Sequence, residues 1–155
     1  MGNGKQPLKE LACLLQLADL FPCLLLLLPL VDLALRLCSW PRCHAWAARW
    51  ARRGPIAGRT YPPPRRIAWL VERAAQHCPW PATCLRRSLL VWAFLLRSGV
   101  ASELRLGFRN PEGRFEAHAW VEWNGVPLND APDVRSHYAV PAQGLTTDRL
   151  PRDQR

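Results

Sequence analysis

Between residues 65 and 130 the spacing of apolar positions changes period once, and that change separates helices from strands. Ile67, Leu70, Val71 and Ala74 fall at i, i+3, i+4 and i+7, which places them on one face of an amphipathic helix. Pro79 and Pro81 end it, because proline lacks a backbone N–H and fixes its own φ. Thr83 then reads as an N-cap with Cys84 at the first helical position. Leu85, Leu89, Trp92 and Leu96 line one face of a second helix, and Gly99 suits the position just past its end. From Ser102 the period falls to two. Leu104, Leu106 and Phe108 alternate with charged or small residues, and Phe115, Ala117, Ala119, Val121 and Trp123 do the same. Asn110-Pro-Glu-Gly113 and Asn124-Gly125 supply the turns, the second leading into a third strand. Helices followed by an antiparallel meander predict an α+β domain.

Upstream the pattern is different. Residues 11–37 are dense in leucine but interrupted by Asp19, Pro22, Pro29 and Asp32, so the apolar run covers only residues 20–31. A membrane-spanning helix wants about 20 apolar residues without charges. Lys5 and Lys9 precede the run as in a signal peptide, yet no small-residue cleavage site follows. The expected structure is a helical hairpin that is buried or lies at a membrane surface. Residues 41–66 are rich in arginine and close with Tyr61-Pro-Pro-Pro64, a stiff extended connector. The expected organisation is a helical, apolar and arginine-rich region over residues 1–64 and a compact domain over 65–155.

With 155 residues and 49% apolar composition, the chain can bury one modest core and is not disordered by composition. The net charge of +9 is unevenly placed, because residues 36–66 hold eight arginines and no acid. Such a stripe could meet nucleic acid, anionic lipid or an acidic peptide, or it simply solvates a surface; nucleic acid is not among the partners expected for the chain. The six cysteines are irregularly spaced and form no CxxC, so neither a disulfide framework nor a zinc ribbon is recognisable. Cys38, Cys43 and His44 are potential ligands, but nothing completes a four-ligand set, and no metal or cofactor is expected. Free thiols in a reducing cytoplasm are the corresponding expectation.

Against this background the order Cys84, His118, Asp130 carries the chemistry. A thiol at a helix start is favoured as thiolate by the unpaired N–H groups and the helix dipole. A strand histidine can take the thiol proton and later give one to a leaving amine. A carboxylate beyond it would hold the imidazole in one tautomer and favour its charged form. The backbone N–H of Cys84 could serve an oxyanion; Gln76 is the one guess for a second donor. Each residue alone has an ordinary reading: a buried small hydrophobe, a structural histidine, a loop-capping aspartate. His44, His77 and His137 lie in segments less regular than the strand that carries His118. One geometric demand follows. A strict two-residue turn at Asn124-Gly125 would place Asp130 opposite Ala119, facing away from His118. The third strand must therefore be irregular, through a bulge near Asn129 or a longer loop. Pro127, which removes a ladder donor, makes room for that.

Cys78-Pro-Trp-Pro-Ala-Thr-Cys84-Leu-Arg-Arg-Ser-Leu, Leu95-Leu-Arg-Ser-Gly99-Val, Leu106-Gly-Phe, Glu116-Ala-His118-Ala-Trp-Val-Glu and Leu128-Asn-Asp130 resemble the lasso peptide B2 proteins. These are leader peptidases of transglutaminase-like fold, distantly related to papain-type enzymes. The resemblance covers about residues 65 to 130, and Leu37-Cys-Ser-Trp-Pro-Arg-Cys43 is similar to the family's less regular leading region. It implies a papain/transglutaminase-like α+β fold and a Cys84, His118, Asp130 triad. It further implies cleavage between leader and core of a ribosomally made precursor peptide, with no cofactor. The implied partners are that precursor, a separate leader-recognition protein of B1 type and an ATP-dependent lasso cyclase. The expected setting is the cytoplasm, with residues 11–37 either buried or in contact with a membrane surface. An acyl transferase of the same fold, or a non-catalytic membrane-surface adaptor, are the alternative functions.

Overall fold

The computed structural model describes the backbone of residues 6–57 and 60–141, and side chains from residue 20 onward. The elements in order are α1 (Gln6–Leu37), α2 (Trp40–Ala51), α3 (Pro64–His77) and α4 (Cys84–Arg97), then β1 (Glu103–Arg109), β2 (Glu116–Trp123), β3 (Val126–Pro127) and a short α5 (Val134–His137). The result is the expected α+β arrangement: helices packed on a small antiparallel sheet.

The leucine-rich segment is one continuous helix rather than a hairpin within residues 11–37. Pro22 and Pro29 lie inside α1, where each costs about 3 kcal/mol relative to alanine. Leu20, Leu24 and Leu28 recur every fourth residue and are almost fully buried. At roughly 1.5–3 kcal/mol per buried leucine, that face offsets the proline cost and keeps the helix running. The chain reverses only after Leu37, between α1 and α2. One core joins these leucines to Ile67, Leu70 and Val71 of α3 and to Leu89, Val91 and Leu95 of α4, so it crosses residue 64 without a break.

Helix α4 ends as its glycine predicts. Gly99 takes φ 83°, its N–H donates to the Leu96 carbonyl at 3.0 Å, and Val100 N–H donates to the Leu95 carbonyl at 2.9 Å. This is the Schellman closure of a helix.

The three strands lie in the order β1-β2-β3. Gly107 pairs with His118 and Leu104 with Val121, while Trp123 pairs with Val126 across a two-residue turn. Asn124 and Gly125 both have positive φ in that turn, 50° and 76°, as a hairpin of this length requires. Leu104 and Val121 belong to the core shared with α4. Alternation along β2 would leave the other face to solvent, but Trp120 and Glu122 are buried as well. The chain after β3 covers them: Phe108 and Ala139 exchange backbone hydrogen bonds at 2.9 and 2.8 Å, and the Tyr138 ring lies 6.3 Å from that of Trp120. Gly107 is what permits this closeness. A Cβ there would stand 2.6 Å from the Tyr138 Cβ and 2.8 Å from the Trp120 ring.

Candidate active site

Cys84 is the first residue of α4, half-buried, with Thr83 in extended geometry before it. The Thr83 hydroxyl makes no capping bond, so it does not take up the N–H groups of the first turn. Two arginines fix that turn from outside. Arg86 donates to the Pro81 carbonyl at 3.1 Å and forms an ion pair with Asp32 of α1. Arg87 bonds both carboxylate oxygens of Glu72 on α3, at 2.9 and 2.6 Å. The start of α4, with Cys84, is thereby held by α1, α3 and the Pro-Trp-Pro loop together.

His118 sits near the start of β2, its side chain 23% exposed. Its Nε2 is hydrogen-bonded to Oδ2 of Asp130, whose other oxygen accepts the Ala131 N–H at 2.8 Å. With Nε2–H donated to the carboxylate, Nδ1 is the basic nitrogen, and it makes no hydrogen bond among the described residues. The Tyr138 ring stacks on the imidazole at 5.0 Å between centroids, and Trp120 lies on the same side of the sheet at 6.2 Å.

Asp130 reaches the imidazole because β3 stops early. The turn is the strict two-residue form, so the predicted irregularity is neither a bulge nor a longer loop. Leu128 N–H still donates to the Val121 carbonyl at 2.9 Å. Val121 N–H, however, donates to the Asn129 side-chain Oδ1 at 2.8 Å instead of to a strand carbonyl. Asn129 thus completes the ladder with its side chain and frees the backbone to turn Asp130 toward His118.

Ser88, one turn after Cys84 on the same face of α4, is fully buried. Its hydroxyl donates to the Ala119 carbonyl at 2.8 Å and accepts from the Asn129 Nδ2 at 2.9 Å. Of the three sequence candidates, His118 and Asp130 are in direct contact. Cys84 makes no hydrogen bond to His118; the two stand on elements joined by the Ser88–Ala119 bond, four residues after Cys84 and one after His118.

The remaining candidates lie elsewhere. Gln76 is exposed, and its side-chain oxygen accepts from Arg73 at 3.2 Å on the same helix. His77 and His137 are exposed and approach carbonyls of their own helices. His44 is buried with its ring stacked on Trp92 at 4.5 Å, and burial followed by nearby Arg52 lowers its pKa. Among the described residues no group of three His, Cys, Asp or Glu side chains is disposed to hold a metal ion.

Ser88, Gly107, Tyr138 and Glu122 were not singled out by the sequence, and Asn129 only as the place of a bulge. Ser88 had a detectable signal, a polar residue four positions after the cysteine in an apolar helix. Glu122 had none, because a strand carboxylate ordinarily faces water. Here it is 2% exposed and accepts from Trp120 Nε1 at 2.8 Å, Arg135 Nε at 2.6 Å and Arg105 Nε at 3.1 Å. Burial alone would raise its pKa; the hydrogen bonds from Arg135, Trp120 and Arg105 outweigh that and bring it down to about 2.

A sequence model of the transglutaminase-like superfamily matches residues 25–142, from the middle of α1 to just past the Ala139 bridge. No curated protein and no solved structure matches the chain.

Proposed function

We propose that this chain, which belongs to the transglutaminase-like superfamily, is a cysteine peptidase that removes the leader from a ribosomally made lasso precursor peptide. Membership brings cysteine-dependent chemistry at a carbonyl, of peptidase or acyl-transfer type. One observation carries the assignment of residues: a helix beginning with Cys84 is tied through Ser88 to the strand bearing a His118–Asp130 pair.

In this reading Nδ1 of His118 takes the thiol proton, and the Cys84 sulfur attacks the scissile carbonyl. The N–H groups at the start of α4 face the developing oxyanion. The imidazolium, held by Asp130, protonates the departing amine, which is the new N-terminus of the core peptide. Water, activated by the same imidazole, then hydrolyses the thioester and releases the leader as a carboxylic acid. The leader-specific part of the proposal rests on the motif resemblance around Cys84, His118 and Asp130. It brings with it a separate leader-recognition protein and a cyclase that consumes the freed amine.

The test is mass spectrometry of the precursor peptide encoded beside this gene, incubated with the full chain and the recognition protein. Hydrolysis yields two products whose masses sum to the precursor plus one water. Acyl transfer would instead yield a leader extended by an added amine. Absence of both with the wild type, or cleavage undiminished in Cys84→Ala, would overturn the proposal.

A further inference from the structure

We propose that the α1–α2 face of this chain docks on the surface of an anionic membrane without crossing it. The face begins as an apolar groove of about 490 Å3 between α1, α2 and α4, lined among others by Leu27, Leu30 and Val31, by Trp46 and Trp50, and by Phe94. It does not stop at the groove. Leu26, Leu33 and Leu37 are 69%, 51% and 74% exposed along the outer side of α1. With Leu30 of the groove, itself 58% exposed, they form one row at i, i+4, i+7 and i+11 along α1, so groove and row make a single broad apolar face that an apolar layer of membrane would cover.

Charge selects the kind of surface. Beside the groove lies a second recess of about 420 Å3, which shares Trp46 and Trp50 with it and is otherwise bordered by Arg49, Arg52 and Arg53. Among the described residues none of these three arginines forms an ion pair, and residues 36–66 contain no acid. Tryptophans at the boundary between apolar and cationic surface match the level of lipid headgroups. The arginines would then meet phosphate or carboxylate groups there.

The opposite side of α1 decides between lying on the membrane and spanning it. The segment Leu20–Leu37, with mean hydropathy 2.1, is long and apolar enough to span by length and composition. Spanning would extract Leu20, Leu24 and Leu28 from the core and separate Asp32 from Arg86. Peripheral docking leaves all of those contacts intact.

Flotation of the full chain with phosphatidylcholine vesicles, with and without phosphatidylglycerol, tests this. Binding is expected only with the anionic lipid and is expected to fall as salt rises. Arg49→Gln with Arg53→Gln should weaken it roughly twenty-fivefold, at about fivefold per arginine. Leu30→Gln with Trp46→Gln should weaken it as well, with an unchanged circular dichroism spectrum for both variants. Three results would overturn the proposal. The chain does not float with anionic vesicles; it resists release by salt and alkaline wash, as a spanning helix does; or the Leu30/Trp46 variant floats normally but loses association with another protein.

Discussion

The Val121 N–H is satisfied by the side chain of Asn129, at 2.8 Å, although Asn129 lies beyond the end of its neighbouring strand. A hairpin that continued in register would have kept Asp130 on the far face of the sheet. By substituting an amide side chain for a backbone acceptor, the chain leaves the ladder without stranding a buried donor. Asn129 then spends its Nδ2 on Ser88, so one side chain both ends the strand and joins it to the helix of Cys84.

Asn129→Ala should therefore do two things at once. Leaving Val121 N–H and Ser88 Oγ without their partner should cost about 1–3 kcal/mol in chemical denaturation. Turnover should fall further than stability explains, because Asp130 loses the turn that aims it. Ser88→Ala should lose stability on the same scale. A turnover unchanged in Asn129→Ala would show that Asp130 is positioned independently.

If the proposed triad operates, Cys84→Ala and His118→Ala are each expected to abolish the proposed leader removal in the mass-spectrometric assay. Asp130→Asn should keep the fold but lower kcat/KM by roughly 10³–10⁴, since an amide no longer holds the imidazole in the working tautomer. Thermal unfolding of all three variants, measured alongside, separates lost chemistry from lost folding.

At Gly107 the expected defect is steric. The added methyl in Gly107→Ala meets the Tyr138 Cβ and the Trp120 ring at distances no pair of carbons accepts. Displacing them should destabilise by about 1–3 kcal/mol. Because Tyr138 stacks on His118, the variant should also lose activity at temperatures where it remains folded. Near-ultraviolet circular dichroism, which reads the tryptophan and tyrosine environment, should change with it.

Glu122 gives the fold an acid limit. Its carboxyl is held at about 2 against an ordinary 4.5. Its stabilising contribution is therefore complete above about pH 5 and is lost as pH falls toward 2, amounting to roughly 3 kcal/mol. Glu122→Gln should be less stable near neutrality by about 2–4 kcal/mol, because Arg105 and Arg135 lose their buried partner. Between pH 5 and 2 its stability should vary less than that of the wild type, as followed by denaturant midpoints.

Period and punctuation made the helices and strands of residues 64–127 readable in advance, because apolar positions recur at helical or strand spacing along them and glycines and prolines mark where they end. Gly99 and Asn124-Gly125 are the clearest cases. The pairing of His118 with Asp130 was also readable as an order of residue types, together with the demand that the third strand break its register. The device that breaks it was not, since an asparagine side chain standing in for backbone leaves no periodic trace. Nor was the unbroken course of α1 through Pro22 and Pro29, which depends on leucines buried against α3 and α4. The covered second face of the sheet escaped for a similar reason. Arg135 and Tyr138 form too short a pattern to announce that they shield Glu122 and Trp120.

The Asp32–Arg86 pair makes the N-terminal helix part of the machinery that shapes the first turn of α4. A fragment starting after residue 40 would leave Arg86 with only the Pro81 carbonyl and would uncover the apolar surfaces of α3 and α4 on which α1 packs. Kinetic work on such a trimmed fragment would describe a differently supported thiol, so any comparison among relatives has to retain the leucine-rich segment.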